Sequence, residues 1–414
     1  MNTTDFISTI HDEVARVLNI GDPGASLLQM AWPGIPLNPA DFRSANDPHG
    51  PVDQGIAMES LAALANIVPT FNRARFQNSG YDVDDLYELF LTSAIPTGAT
   101  PDTVADHPLH RRFCAAQRAL LQVRRARHAA PNGFYYPCTA SPVAWYDESA
   151  AEGWTTIQLA SSDVKSASGS RSPFAESGGL ELARTSAWRL RAAVADNAGI
   201  RNKLRAAAVP RPGPVKRSLG AAPSAEHSKQ LFTPAAAPTD AVARGGLALD
   251  SVDLLRRDLG VPDLARRLAV KNVFDRQTPA LPPAPTTDSF STSFRVCRVD
   301  IERPWLDLAL LGANDWWMFG VPGGAYSTGA TDSNPGMFPL LTTSFVVIRD
   351  LKISANWSQD DRKHLANAAS FGFFDLRNGI VANNTIEVKG LQIIAWMSRV
   401  MPRLPPGSPP GSSP

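Results

Sequence analysis

The chain has 414 residues, of which 43% are hydrophobic and 19% are charged. This composition is close to the average of folded soluble proteins and excludes a wholly disordered chain. The 40 basic and 39 acidic side chains give a net charge of +1, so no overall field attracts nucleic acid or an anionic membrane. The cysteines number three and are widely spaced, which argues against a disulfide framework and a zinc ribbon.

The N-terminal segment does not have the pattern of a secretory signal peptide. Asp5, Asp12 and Glu13 lie among its apolar residues, and no basic cluster precedes them. No window approaches the roughly 18 uncharged apolar residues that a membrane-spanning helix needs. We therefore expect a cytoplasmic protein with reduced thiols, and non-classical release is left open.

Residues 1–130 are predicted to form a helical region. Apolar residues recur at three- and four-residue spacing from Thr3 or Thr4 until Gly21 ends the pattern. The prolines and glycines between Gly21 and Pro51 predict a loop. Three further helices are predicted: Asp53 to Val68, Asp84 to Ser93, and Pro108 to Ala130.

The fourth predicted helix has one apolar face and one basic face. The arginines of the basic face are Arg111, Arg112, Arg118, Arg124, Arg125 and Arg127. Such a face is typical of a nucleic-acid or acidic-lipid surface, and also of a solvated helix whose arginines pair with acidic neighbours. Because the net charge is near zero and no aromatic residues are interleaved, the sequence favours the solvated face.

From residue 131 onward, aromatic and β-branched residues become frequent, which predicts a β-rich unit. We expect residues 131–160 to form its first part and residues 286–401 its main part. Between them, residues 161–285 are predicted to be a low-complexity insertion with short helices, and residues 402–414 a disordered tail. The predicted fold class is α+β: a helical region followed by a mixed, mainly antiparallel β unit with a disordered or mobile insertion.

Two predicted strands flank the insertion and are expected to pair with each other: Thr155 to Leu159 and Ser289 to Ile301. In the second strand the apolar alternation changes phase near Val296, which indicates a β-bulge or a change of the covering layer. Further strands are predicted at Thr343 to Ile348, Leu351 to Trp357, and Thr385 to Met397.

No catalytic, cofactor or metal motif in the sequence is complete. The glycine-dense segment Gly320 to Gly329 lacks the lysine of a phosphate-binding loop, and Ser327 lacks the spacing of a nucleophile elbow. An acidic group resembles the start of a calcium loop but lacks its glycine: Asp82, Asp84 and Asp85. We therefore predict no catalytic residue, no metal and no cofactor.

Aromatic residues cluster in the last third of the chain. They either pack in the core of the β unit or line a cleft that stacks on flat ligands, and core packing is the commoner arrangement. Arg303, beside Pro304 and Trp305, is expected to stack on the indole and to pair with Asp300 or Asp307. If the cluster binds a partner, its predicted contacts are Arg303, Trp305, Trp316, Trp317 and Tyr326.

Three segments carry a resemblance to a known family: Val299 to Trp305, Pro339 to Ile353, and Leu391 to Trp396. They resemble bacterial and fungal proteins that share an Arg-Pro-Trp strand motif and a C-terminal Gln-Ile-Ile-x-Trp strand. A weaker similarity lies at Ser141 to Asp147. No activity is established for that family, so the resemblance implies no catalytic residue.

The function predicted from these observations is a non-enzymatic binding or assembly protein with an aromatic-rich β domain. Its partner is an unidentified protein or a second copy of the chain, and nucleic acid is disfavoured. One alternative is a β-pore-forming or membrane-acting protein, because the Ser/Thr-rich segments Ser161 to Ser172 and Thr286 to Ser293 flank the insertion. Another is a hydrolase that uses Ser327 or a cysteine such as Cys138.

Overall fold

The structure is a computed structural model, and it describes most of the chain outside one long central segment. The described residues are 3–20, 26–44, 46–100, 102–126, 134–160, 290–357, 359, 370–382 and 384–408. All of them belong to one compact unit. The insertion predicted at residues 161–285, with its short helices, lies outside the described residues.

Five α-helices and sixteen strands form among the described residues. The helices are α1 (Thr3–Val17), α2 (Gln54–Ala65), α3 (Val83–Ser93), α4 (Pro108–Val123) and α5 (Leu308–Leu311). The first eight strands are β1 (Ser26–Leu37), β2 (Ile67–Pro69), β3 (Asn78–Asp82), β4 (Ala94–Pro96), β5 (Arg125–Ala126), β6 (Phe134–Tyr135), β7 (Thr139–Ser141) and β8 (Thr155–Ala160). The others are β9 (Phe290–Glu302), β10 (Trp316–Met318), β11 (Leu340–Ala355), β12 (Ser370–Phe371), β13 (Phe374–Asp375), β14 (Ile380–Ala382), β15 (Thr385–Val388) and β16 (Leu391–Val400).

The four long helices begin close to the predicted residues. Asp53 caps α2 by accepting hydrogen bonds from two backbone amides of the first turn, and Pro108 occupies the first turn of α4. Helix α4 ends at Val123, earlier than the predicted Ala130, because Arg125 and Ala126 leave the helix and pair with β6. The combination of these helices with a large antiparallel sheet confirms the α+β fold class.

The central sheet is antiparallel and is organised around β11. The first half of β11 pairs with β16 and its second half with β15, which continues to β14, while β1 lies outside β16. The opposite edge of β11 pairs with β9, whose far edge pairs with β7 and β8. Strand β8 pairs with β9 from Thr155 opposite Val296 to Ala160 opposite Ser291, which confirms the predicted pairing across the insertion.

Burial along β9 changes phase where the sequence indicated. Phe294 and Val296 are buried in the cluster beneath α1, whereas the next buried residues, Cys297 and Val299, have the opposite parity and lie outside that cluster. The covering layer therefore changes along the strand. The irregularity in the pairing lies instead on β11, where Asp350 has a φ of 55°.

Strand β1 corrects the prediction of a loop between Gly21 and Pro51. Its first residues, including Leu27 and Leu28, are buried, and the pairing with β16 is interrupted between Met30 and Ile35, around the proline and glycine. Proline is tolerated there because the interruption is on an outer strand of the sheet. The backbone of Met30 forms further hydrogen bonds with residues 74 and 76, so the outer edge is partly covered.

The start of the predicted disordered tail is packed against the unit. Leu404 is fully buried, and its backbone amide donates to the Ser327 carbonyl at 2.8 Å. A buried leucine holds this segment in place, and the Pro/Gly/Ser composition did not reveal it. Residues 409–414 lie outside the described residues.

Apolar side chains cover both faces of the sheet. On one face, α1 packs on a cluster that includes Ile10, Val14, Phe294, Val346 and Phe373. On the other face, Phe345 contacts Trp145, and Trp396 stacks on Phe76 with ring centroids 4.0 Å apart. A further aromatic cluster lies where α3 and α4 meet β10, and its members are Phe90, Phe113, Trp316, Tyr326 and Phe338.

Candidate binding site

An open pocket of about 470 Å³ lies beside α2, the β5–β6 hairpin and the start of β7. We call it the α2–β6 pocket. Residues that line it include Met58, Arg125, Tyr135, Pro137, Cys138 and Pro304. Its lining is mainly apolar and includes a few polar groups.

The β5–β6 hairpin places a cation and a phenol side by side on the pocket wall. Arg125 is directly opposite Tyr135 in this antiparallel pair, and Ala126 is opposite Phe134. Directly opposed residues of neighbouring strands project on the same side. The guanidinium of Arg124 lies over the Phe134 ring, 4.4 Å from its centroid, and so braces the outer side of the hairpin.

The remaining walls come from α2 and from the β7–β9 pair. Met58 lies in the second turn of α2 and is 41% exposed at the pocket. Thr139 is opposite Glu302, and the pocket is lined beside this pair by Cys138, which precedes Thr139, and by Pro304, two residues after Glu302. The pocket is therefore built on hydrogen-bonded elements rather than on a single loop.

Opposite charges act on the tyrosine hydroxyl of the pocket. Burial raises the pKa of Tyr135, the carboxylate of Glu59 raises it further, and the charge of Arg125 lowers it. The hydroxyl stays protonated at neutral pH and can donate a hydrogen bond. Together with the guanidinium, it is suited to a ligand that carries an anionic group.

Arg303 lies behind the pocket at the carboxyl end of α2. Its Nη2 donates to the Ala65 carbonyl at 2.6 Å, where the last carbonyls of the helix lack intrahelical partners. Its Nε is buried without a hydrogen-bond partner among the described residues. Burial lowers the pKa of Arg303 to about 10, so the guanidinium remains charged at neutral pH.

The predicted pairing of Arg303 with Asp300 or Asp307 is wrong. Asp300 accepts from Arg298 at 2.7 Å, and Asp307 caps α5 by accepting from the Leu310 amide at 2.9 Å. Both carboxylates accept hydrogen bonds from groups close by in the sequence. The Arg303 guanidinium instead donates to the Ala65 carbonyl at the end of α2.

Trp305 and Cys138 form a buried layer beneath the pocket. The Trp305 ring contacts Tyr87 and Tyr136, with centroids 6.0 and 5.4 Å away. Burial raises the pKa of the Cys138 thiol to about 11, and the opposing effect of the Arg303 charge is smaller. At neutral pH this thiol is protonated and is a poor nucleophile.

The other residues of the predicted binding set lie in or near the aromatic cluster of α3 and α4. Trp316 and Tyr326 are fully buried, Trp317 is half-buried, and Phe319, two residues after Trp317, is exposed. The structure separates this group from Arg303 and Trp305. Trp316 and Tyr326 pack against Phe90, whereas Trp305 packs against Tyr87. The binding role of these residues stays a prediction.

The hydroxyl of Ser327 is buried and takes part in hydrogen bonds that join neighbouring segments of the chain. It donates to the Met401 carbonyl at 2.9 Å and accepts from the Asn334 amide at 2.9 Å. It also accepts from the Gly329 backbone amide at 3.2 Å. These bonds join the glycine-dense segment to the end of β16 and leave the oxygen without solvent access.

Cys114 is the cysteine that the fold places beside a histidine. Its sulfur lies 3.5 Å from Nε2 of His110, one helical turn earlier on α4. The Nδ1 atom of His110 is buried without a partner among the described residues, so no carboxylate orients the ring. The pair lacks the third group that activated thiols use.

The acidic group at the start of α3 is also accounted for locally. The carboxylate oxygens of Asp82, Asp84 and Asp85 lie within 4.8 Å of one another. Asp84 accepts from Asn66 at 2.8 Å and from the Asp85 amide at 2.8 Å, and burial raises its pKa. The sequence prediction that these residues begin the helix agrees with this geometry.

Sequence reasoning missed the α2–β6 pocket because its walls come from distant segments. The usable signal was the turn chemistry of Pro131 to Gly133, which separates Arg125 from Tyr135 and is typical of a hairpin. No pattern in the sequence indicated that Met58 and Pro304 line a pocket.

The chain matches no family model, no curated protein and no solved structure. The family resemblance of the Arg-Pro-Trp segment therefore stays a prediction. Among the helices that the structure describes, none has the length and apolar character to cross a membrane.

Proposed function

We propose that the protein is a non-enzymatic binding protein and that its partner places an apolar group in the α2–β6 pocket. The observation that carries this proposal is the pocket itself, which combines an apolar lining with the Arg125 and Tyr135 pair. The aromatic side chains named from the sequence support it indirectly, because Trp305 packs beneath the pocket and braces it.

The condition of the candidate nucleophiles supports binding over hydrolysis. The Cys138 thiol has its pKa raised to about 11, and the Ser327 hydroxyl is buried in structural hydrogen bonds. A hydrolase needs a nucleophile and a base within reach of a substrate. The proposal places the protein in the cytoplasm, in keeping with three cysteines that form no disulfide.

A substitution that fills the pocket tests this function. Thr139 is an exposed strand residue on the pocket wall, so Thr139→Trp fills the space and leaves the core unchanged. Tagged full-length protein is purified from its native host, and co-purifying proteins are quantified by mass spectrometry. We expect at least one partner that the variant recovers about tenfold less well, since blocking a central pocket removes a large share of binding energy.

The matched control is Ala382→Trp. Ala382 is an exposed residue of the two-stranded β14–β15 segment, far from the pocket in the sheet order. This variant also places a tryptophan at an exposed strand position, and it is expected to keep every partner. A partner set that is the same for wild type and both variants would refute the pocket as the binding site.

The membrane-acting alternative rests on segments that the structure describes only in part. Ser161 to Ser172 and residues 286–289 lie outside the described residues, while residues 290–293 pair with β8 and β11. Release of a trapped dye from liposomes by the purified protein would favour this alternative.

A further inference from the structure

The exposed face of α4 carries a row of arginines that leads to the α2–β6 pocket. Arg111, Arg118 and Arg125 are seven residues apart, and Arg112 lies beside the first. The step from Arg111 to Arg118 is about two helical turns, or about 10 Å along the axis. Arg125 lies two residues beyond the end of α4 and lines the pocket, so the chain leads directly from the row to the pocket.

Most of these arginines have no acidic partner. Within the described ranges, Arg112, Arg118 and Arg125 take part in no ion pair. Arg111 pairs with Asp106, and both side chains are exposed, so this pair is weak and readily exchanged. The expectation that the basic face is neutralised by acidic neighbours is therefore met at Arg111 alone among the described arginines.

Apolar side chains are exposed at the pocket, on the hairpin and on α4. Met58 is 41%, Phe134 47% and Leu121 52% exposed. Large apolar groups beside unpaired cations are typical of a surface that a partner covers. The complementary partner has negative charges beside an apolar group.

The shape of this surface favours a peptide over other anionic partners. Stacking of nucleic-acid bases needs open aromatic faces, but Arg124 covers one face of Phe134, and Tyr135 is half-buried. A lipid bilayer is flat and does not fill a concave pocket of about 470 Å³.

We propose that the arginine row of α4 and the α2–β6 pocket together dock an acidic peptide segment of the partner. One apolar side chain of the peptide occupies the pocket, and its Asp and Glu residues contact Arg112, Arg118 and Arg125. The row spans about 10 Å between Arg111 and Arg118 and continues into β5 at Arg125, so it accommodates an extended segment of several residues. This inference rests on the proposed binding function and gives its partner a chemistry.

A peptide selection tests the inference while the partner is still unidentified. A random dodecapeptide library displayed on phage is selected against the full-length protein. We expect the enriched peptides to carry several acidic residues next to one large apolar residue. Binding of the best labelled peptide, followed by fluorescence polarisation, is expected to weaken as the salt rises from about 50 to about 500 mM.

Charge reversal identifies the arginines in this assay. The double variant Arg112→Glu/Arg118→Glu is expected to weaken peptide binding at least about tenfold, because attraction becomes repulsion. Lys389→Glu/Arg399→Glu makes the same change in net charge on exposed residues outside this surface, and it is expected to bind as the wild type does.

Several outcomes would overturn the inference. These are enriched peptides without acidic residues, peptide binding that charge reversal leaves unchanged, and the selection of no peptide while oligothymidylate or phosphatidylserine vesicles bind through the same arginines. If Thr139→Trp releases the cellular partner while charge reversal does not, the proposed function stands and the acidic-peptide inference fails.

Discussion

Cys138 illustrates how burial determines the chemistry of one residue. The side chain is 1% exposed, lies beneath the α2–β6 pocket and is close to the charge of Arg303. A cation beside a thiol usually favours the thiolate, but here the loss of hydration is the larger effect. The pocket therefore has a neutral floor although a guanidinium lies behind it.

Thiol labelling at pH 8 measures this effect. A rise of the pKa from 9.0 to about 11 lowers the thiolate population of Cys138 about 100-fold at this pH. Cys297, whose pKa is also raised to about 11, is expected to react as slowly as Cys138. Half-buried Cys114 is expected to be alkylated first. Iodoacetamide labelling followed by mass spectrometry gives the order, and in urea the three rates should converge. Native Cys138 that reacts as fast as Cys114 would contradict the assignment.

At the scale of secondary structure, the starts of the four long helices were predictable and the strands were less so. Capping residues such as Asp53 act locally, so the sequence carries their signal. Strand β1 was missed because the tertiary contacts of Leu27 and Leu28 outweigh the local effect of Pro33. Strand β11 was divided in two at Asp350, where a left-handed residue bends one continuous strand.

The α2 cap gives a prediction at this scale. The Asp53 carboxylate accepts from the Gly55 amide at 2.7 Å and from the Ile56 amide at 3.3 Å. Asp53→Ala is expected to lower the free energy of unfolding by about 1 kcal/mol, and Asp53→Asn by much less, because asparagine caps almost as well. Urea unfolding followed by circular dichroism checks both. No loss in Asp53→Ala would contradict the role of the cap, and an equal loss in Asp53→Asn would assign the effect to the carboxylate charge rather than to its hydrogen bonds.

At the scale of the whole molecule, the sequence located the sheet but not the pocket. The pairing of β8 with β9 followed from two apolar runs that flank a low-complexity segment. The pocket forms where α2, the β5–β6 hairpin and Pro304 pack together. No local sequence pattern indicates that these distant segments are in contact. Arg303 shows the same limit, since its partner, the Ala65 carbonyl, is 238 residues away.

Replacement of the central segment tests the sheet as a unit. Ala160 is opposite Ser291, and paired residues of this kind lie about 5 Å apart. A chain in which about six Gly and Ser residues replace residues 161–289 is therefore expected to keep β8 beside β9. The measurement is thermal unfolding by circular dichroism, with a single cooperative transition as the expected result. A shortened chain that shows none would mean that the sheet requires the replaced residues.

The pairing of β1 with β16 has a consequence for synthesis. Ser26 lies opposite Arg399, so β1 can pair with β16 only after nearly 400 residues have left the ribosome. Contacts between such remote segments form slowly, and unpaired strands invite association with other chains. A nascent chain that stops before β16 leaves β1 and one edge of β11 open, and such products are expected to be captured by chaperones or degraded.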